Sequence, residues 1–275
     1  MDDWPVREAA PELQREVYRR ATDIWSLRDL DRALGYGDME EALPPDRLKA
    51  PLSRWYMLVR DVPLRRLPDH DLARATRQGA HPPAVLREGV RRLHRRSTAE
   101  DLYEGSHLVS YATQGAAVRT LLPDVYTALV AELKRIAAGK LRLERADRED
   151  EERRASLQQE LGHHAAYALT VLGEAADADY RRLVSDTLDH LSLGHLEHWQ
   201  TREGELAVPA LAWALRVREI DPELYGRLYQ ELVRIAFDTH HRDRQSGDYT
   251  AIKRLLALLT QPEPTAEPEL PRPAP

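Results

Sequence analysis

The sequence contains no cysteine among its 275 residues, which excludes disulfide bonds and thiolate metal ligands. It holds a single phenylalanine and no sustained alternation of apolar and polar residues, so β-strands are not expected. No apolar run approaches the roughly 20 residues that span a bilayer, and the first residues lack the apolar centre of a signal peptide. We therefore expect a cytoplasmic protein without a membrane partner.

Charge of either sign does not dominate the chain, because 46 acidic residues stand against 40 basic residues, a formal net charge of −6. This sign disfavours nonspecific nucleic-acid binding and is compatible with a basic partner. The sequence also lacks a glycine-rich phosphate loop, a G-x-S-x-G nucleophile and a dinucleotide-binding fingerprint. We predict a protein without a cofactor and without catalytic activity, and we expect no direct contact with nucleic acid.

Apolar residues recur at helical spacing through most of the chain, which predicts an all-α fold, a compact multi-helix array or bundle. Pro11 and Pro82 stand where the first residue of a helix is expected, since proline is favoured there. The apolar face that follows Pro11 is expected to extend to Ile24. Asp69 is predicted to cap a short helix that stops at Gly79.

Two segments of the sequence resemble each other, residues 123–137 and residues 222–236, at an offset of 99 residues. They are identical at eight of fifteen aligned positions. The helical period demands repeated leucines, but it does not demand the proline, tyrosine, glutamate and arginine that also match. Chance similarity of two capped helices and duplication of a helical unit both remain open.

This repeat suggests a division of the chain into two related helical halves. We predict an N-terminal half over residues 1–145 and a C-terminal half over residues 155–260, which is a possible duplicate of the first. The last fifteen residues, 261–275, contain six prolines and are predicted to form a disordered tail.

The segment between the two halves is rich in charge and contains a short acidic run. Its members are Glu149, Asp150, Glu151 and Glu152. They are candidate partner-binding residues for a basic protein. A solvated helix held by pairs such as Glu149 with Arg153, or a linker, would explain the same residues without a partner.

Two groups of residues invite a chemical interpretation. The first contains His190, His195 and His198 together with Asp189 and Glu197. A zinc site needs three or four converging ligands, commonly in an H-E-x-x-H spacing, and the sequence here has a different order. We therefore predict no metal site, and histidines on the surface or at helix ends explain the group.

The second group lies on the helix predicted to begin at Pro82. Arg87 and His94 are separated by six residues, a spacing that resembles the Arg–His pair of small helical ribonucleases. A phosphate-binding face would require the nearby arginines to line one side of this helix unopposed. These arginines are Arg91, Arg92, Arg95 and Arg96.

Residues 62–109 have a recognisable overall order. A Pro-Leu turn leads to an Asp-Leu helix that stops at Gln-Gly, a second helix follows, and an Asp-x-Tyr-x-Gly turn begins a third. The residues that carry this order are Pro63, Leu64, Asp71, Leu72, Gln78, Gly79, Asp101, Tyr103, Gly105 and Leu108. The order resembles the immunity proteins of contact-dependent growth inhibition systems. One departure is His107, which stands where these proteins usually have leucine.

The resemblance implies a non-catalytic inhibitor, comparable to an antitoxin, that binds the C-terminal domain of its cognate toxin and neutralises it. A basic nuclease is one candidate for that toxin, because a net-acidic inhibitor would suit it. Two alternatives remain: a helical scaffold or adaptor without a toxin partner, and a small helical ribonuclease or metal-dependent hydrolase that uses the groups described above.

Overall fold

The computed structural model describes residues 9–37, 49–99, 105–189 and 208–242, together with residues 256, 257 and 259. Its regular elements over these ranges are α-helices and one short 3-10 helix, without any strand, so the predicted all-α fold is confirmed. In the same ranges no helix is both long and apolar enough to cross a membrane. Residues 261–275 lie outside this part, and their disorder stays a prediction.

Thirteen α-helices occupy the part of the chain that the structure describes. The first seven are α1 (Pro11–Arg20), α2 (Leu27–Ala33), α3 (Pro51–Val59), α4 (Asp69–Arg77), α5 (Pro82–Arg95), α6 (Ser106–Ala112) and α7 (Gly115–Leu121), with the 3-10 helix Leu64–Arg66 before α4. The others are α8 (Pro123–Ala137), α9 (Arg145–Glu149), α10 (Glu151–Leu172), α11 (Asp177–Asp189), α12 (Val208–Ile220) and α13 (Pro222–Arg242). Five of them begin at proline, whose fixed φ and missing N–H suit a first helical position.

Two local predictions are wrong. Ile24 does not extend the apolar face of α1, because α1 ends at Arg20 and the Ile24 side chain is 56% exposed. Asp69 does not cap α4, whose N-cap residue is Pro68 without a side-chain hydrogen bond. Asp69 is instead buried in an ion pair with arginines of another element.

Helices α8 and α10 pack against each other and form the centre of the helices that precede residue 180. Leu129 and Leu133 of α8 and Leu157, Leu161 and Leu169 of α10 are completely buried. Each of these side chains stabilises the fold by roughly 1.5–3 kcal/mol relative to an exposed position. Helix α8 also contacts α5 and α7, while α10 contacts α6 and α9, so these two helices organise the core.

The chain divides into two compact units, Met1–Asp179 and Tyr180–Pro275. The boundary predicted from the sequence, near residues 145–155, falls inside the first unit, because α10 buries its apolar residues against α6 and α8. In the second unit α12 packs against α13, and Arg181 of α11 forms an ion pair with Asp221 at 3.2 Å.

The two similar segments of the sequence make similar contacts, each within its own unit. Both are helices that begin at proline, and each follows a helix that supplies an arginine to the tyrosine of the segment. The Arg119 guanidinium lies 5.5 Å from the centre of the Tyr126 ring, and the charge of Arg218 opposes the rise in the pKa of Tyr225 that burial causes. The matching residues therefore share a structural role, and whether they arose by duplication stays a prediction.

Gly89 provides a test of the packing between α5 and α6. A Cβ atom at this position would lie 2.8 Å from Cζ of Tyr111, whose ring is buried. We expect Gly89→Ala to destabilise the protein by up to about 2 kcal/mol, because overpacking costs roughly 1–3 kcal/mol and alanine recovers about 1 kcal/mol of helix propensity. Urea unfolding followed by circular dichroism measures the difference.

Gly226 in α13 is the matched control for this substitution. It lies in a helix, and among the described residues a Cβ atom there would meet no atom of a neighbouring element within 4 Å. Gly226→Ala is therefore expected to stabilise its own unit by roughly 0.5–1 kcal/mol. A stabilising effect of Gly89→Ala equal to that of Gly226→Ala would contradict the contact between Gly89 and Tyr111.

Candidate functional site

The residues that carry the resemblance to immunity proteins lie in the scaffold of the first unit. Leu64 is buried in the 3-10 helix that follows Pro63, while Leu72 of α4 and Leu108 of α6 are completely buried. Asp71 accepts a hydrogen bond of 2.7 Å from the indole N–H of Trp55. These side chains connect neighbouring helices of the scaffold.

The polar and glycine positions of the same pattern shape turns. Gln78 is the C-cap residue of α4, and Gly79 follows it with φ of +69°, so the predicted stop of this helix is confirmed. Gly105 has φ of +83° directly before α6, a conformation that strongly favours glycine. Asp101 and Tyr103 lie outside the described residues.

The acidic run spans the junction between α9 and α10, and its four residues are exposed. Glu149 forms an ion pair of 2.7 Å with Arg145, and Glu151 lies 3.7 Å from Arg154. Asp150 accepts a hydrogen bond from the backbone N–H of Arg153 and so caps α10. The arrangement leaves the run open to a partner without showing one, and its role in binding stays a prediction.

The predicted absence of a metal site is not tested by the histidine group. His190, His195, His198 and Glu197 lie outside the described residues, and Asp189 ends α11. Among the residues that the structure does describe, no group of histidine and acidic side chains could hold a metal ion.

The arginines of α5 do not form the unopposed basic face that phosphate binding along this helix would require. Arg92 and Arg96 turn inward and bind Asp69, with N–O distances of 2.5 Å and 2.8 Å. Arg91 is held by Glu88, which is buried and also binds Arg92. The high density of positive charge in this segment therefore reflects internal ion pairs, because carboxylates on the helix and on α4 oppose it.

A groove lies beside the remaining charged residues, between α5 and α8. It has a volume of about 670 Å³. Its lining includes Arg87, Arg91, His94, Arg95, Asp124 and Glu132, with Val90, Val125, Ala128 and Ala131. The structure thus places Arg87 and His94 on one surface, two helical turns apart. Arg87 donates a hydrogen bond of 2.7 Å to the carbonyl of Ala21, which fixes it at the wall of the groove.

Glu132 links the two helices at the end of this groove. It is 8% exposed and accepts hydrogen bonds from Nδ1 of His94 at 2.9 Å, from Arg135 at 2.7 Å and from Arg142. Burial acts to raise the pKa of Glu132, but these three donors outweigh burial and hold the pKa below its ordinary value. The carboxylate is therefore ionised and fixes the orientation of the His94 ring.

The sequence did not identify Glu132 as the partner of His94. A signal was present, because Glu132 lies on the apolar side of α8 among Val125, Leu129 and Ile136, all of them buried. A charged residue on such a face indicates a buried ion pair. The identity of the partners, however, depends on how α5 and the segment before α9 pack against α8.

A second polar cluster that the sequence did not indicate is buried near the start of α5. His81 donates a hydrogen bond of 3.0 Å to Asp31 and lies 3.2 Å from the Tyr18 hydroxyl, which burial keeps protonated by raising its pKa. Tyr56 donates to the same carboxylate. His81 has φ of +48°, a strained conformation for a residue with a side chain. The cluster joins α1, α2, α3 and α5. This structural role explains why the four polar side chains are buried together.

Comparison with protein-family models, curated proteins and solved structures finds no match to this chain.

Proposed function

We propose that this chain is a non-catalytic binding protein of the cytoplasm, an immunity protein that binds and neutralises the toxin domain of a contact-dependent growth inhibition system. The proposal is supported by the structural roles of the residues that resemble the immunity-protein pattern. Leu64, Leu72 and Leu108 form core, while Gly79 and Gly105 form turns. Residues with these roles preserve a scaffold, and an inhibitor requires a stable scaffold rather than catalytic groups.

The acidic run Glu149–Glu152 is our candidate for the toxin-binding surface. Its residues are exposed, and they belong to a chain with a net charge of −6. A basic nuclease domain would be attracted to such a surface, since complementary charge raises the rate of association and excludes partners of like charge. Buried anchors elsewhere on the interface would then supply most of the binding energy.

The decisive experiment is co-expression of the chain with the toxin domain encoded beside it. We expect the wild-type chain to restore growth and to elute with the toxin domain as one complex in gel filtration. Failure of both rescue and complex formation would refute the immunity function.

The binding surface is tested separately with charge-reversal variants. Glu151→Lys with Glu152→Lys is expected to slow association with the toxin domain by about tenfold or more at low salt. Asp150 stays unchanged because it caps α10. The control, Glu12→Lys with Glu16→Lys, changes two exposed acids of α1. Equal rates for both variants would remove the acidic run from the interface while leaving the immunity function intact.

A helical scaffold or adaptor is the second candidate function. It is favoured by the repeated contacts of α7–α8 and α12–α13, each within its own unit, because repeated helical units are common in proteins that present binding surfaces. The co-expression experiment separates the two candidates. A scaffold folds normally but neither rescues growth nor forms a complex with the toxin domain.

A further inference from the structure

We propose that the groove between α5 and α8 binds a small organic phosphate. His94 and Arg95 lie at its wall and would contact the phosphate group. Val90, Val125 and Ala128 line the same groove and would contact the apolar or aromatic part of the ligand. This inference goes beyond the proposed immunity function and does not depend on it.

The charge around the groove is positive even after its internal ion pairs are counted. The lining residues and their ion-pair partners carry five guanidinium groups and three carboxylates. The guanidinium groups are those of Arg87, Arg91, Arg95, Arg135 and Arg142, and the carboxylates are those of Glu88, Asp124 and Glu132. A surplus of positive charge in a concave site favours a ligand that carries negative charge.

Arg95 is the cation best placed to supply this surplus. Its side chain is exposed, and no hydrogen bond or ion pair joins it to any residue in the described part of the chain. Arg91, in contrast, is engaged by both oxygens of Glu88. A guanidinium without an internal partner can donate two parallel hydrogen bonds to phosphate oxygens.

Glu132 orients the His94 ring so that one of its nitrogens can contact the same ligand. The carboxylate accepts the Nδ1–H of the ring at 2.9 Å, so Nε2 is the nitrogen that remains for a ligand. When both ring nitrogens carry a proton, Nε2 can donate a hydrogen bond to an anion. The His94 side chain is 71% exposed, so a ligand can reach it.

The dimensions of the groove favour an organic ester over free phosphate. Its volume of about 670 Å³ lies within the range of about 300–1,000 Å³ that is typical of small-molecule sites. An inorganic phosphate ion would leave most of this volume, and all of the apolar wall, without contact. A ligand about the size of a nucleotide would occupy both.

Isothermal titration calorimetry of the full chain tests the proposal in the absence of any toxin. The probe is adenosine monophosphate, and adenosine and inorganic phosphate are the matched comparisons. We expect adenosine monophosphate to bind with a Kd below about 1 mM and each comparison compound to bind at least about tenfold more weakly. A Kd above about 1 mM for adenosine monophosphate, or equal binding of adenosine, would overturn the proposal.

Variants locate the site. Arg95→Ala and His94→Ala are each expected to weaken binding of adenosine monophosphate by about tenfold or more, since each removes a charged hydrogen bond. Both side chains are exposed, and Glu132 keeps its bonds to Arg135 and Arg142 in either variant. Arg19→Ala removes an exposed arginine of α1 and is expected to leave the Kd unchanged. A loss of affinity with Arg19→Ala equal to that with Arg95→Ala would contradict the site.

Discussion

Replacing Asp69 by asparagine is expected to lower the free energy of unfolding by about 3 kcal/mol. The Asp69 carboxylate is 4% exposed and binds Arg92 at 2.5 Å and Arg96 at 2.8 Å. The amide keeps the shape of the side chain but cannot balance two guanidinium groups. The expected loss is at the lower end of the range for broken buried pairs, because Arg92 retains Glu88 and the carbonyl of Leu64.

Urea unfolding of Asp69→Asn, followed by circular dichroism, measures this loss. The control is Glu16→Gln, which removes a carboxylate that is 66% exposed and lies 3.4 Å from Arg20, itself 73% exposed. Exposed pairs contribute about 0–1 kcal/mol, so the control should unfold almost like the wild type. Similar losses in both variants would show that burial does not set the strength of the Asp69 pair.

The sequence predicted those parts of the fold that depend on neighbouring residues. Pro11 and Pro82 begin helices because the rules for a first helical position act within a single turn. Gly79 stops α4 because only a residue without a side chain adopts φ of +69° at no steric cost. The apolar period likewise predicted an all-α chain, since it reflects one helix at a time.

Features that depend on distant residues could not be predicted in the same way. Asp69 satisfied every local criterion for a helix cap, yet its carboxylate is drawn to Arg92 and Arg96, 23 and 27 residues later. The position of the boundary between the two compact units, after Asp179, depends on distant residues too. The charged start of α10 resembles a linker, but its later apolar residues are buried against α6 and α8.

The candidate groove likewise combines residues that the sequence could indicate with residues that only the packing brings together. Arg87 and His94 could be singled out because their spacing along one helix is visible in the sequence. Glu132 lies 38 residues after His94 and meets it only because α5 packs against α8. The groove itself is a property of that packing, so no pattern within either helix predicts its volume.

His107 is expected to make the protein sensitive to mild acid. His107 lies in α6 and its side chain is buried. Its Nε2 donates a hydrogen bond of 3.2 Å to the carbonyl of Ser97. Nδ1 is buried without a hydrogen-bond partner in the described structure. Burial lowers the pKa of His107 to about 4 from an ordinary value of 6.5. The ring is therefore neutral in the folded protein at any pH well above 4.

The direction of the pH effect follows from the unfolded chain, in which His107 takes up a proton near its ordinary pKa. Between pH 6.5 and pH 4 the unfolded state binds this proton and the folded state does not. Stability consequently falls as the pH decreases through that window. A difference of this size corresponds to about 3 kcal/mol at most.

His107→Leu is expected to remove this part of the pH dependence. Leucine fills the same buried position, loses the hydrogen bond to Ser97 and eliminates the unsatisfied Nδ1, so stability at pH 7 should change by about 1 kcal/mol or less. Urea unfolding at pH 7 and pH 4 then gives the comparison. The wild type should lose about 3 kcal/mol more than the variant on acidification.

His70→Leu, which replaces a half-exposed histidine of α4, should behave like the wild type. An identical acid response of His107→Leu and the wild type would mean that protonation of His107 does not oppose folding. The loss of stability in acid would then have to originate in the paired carboxylates, such as Glu132.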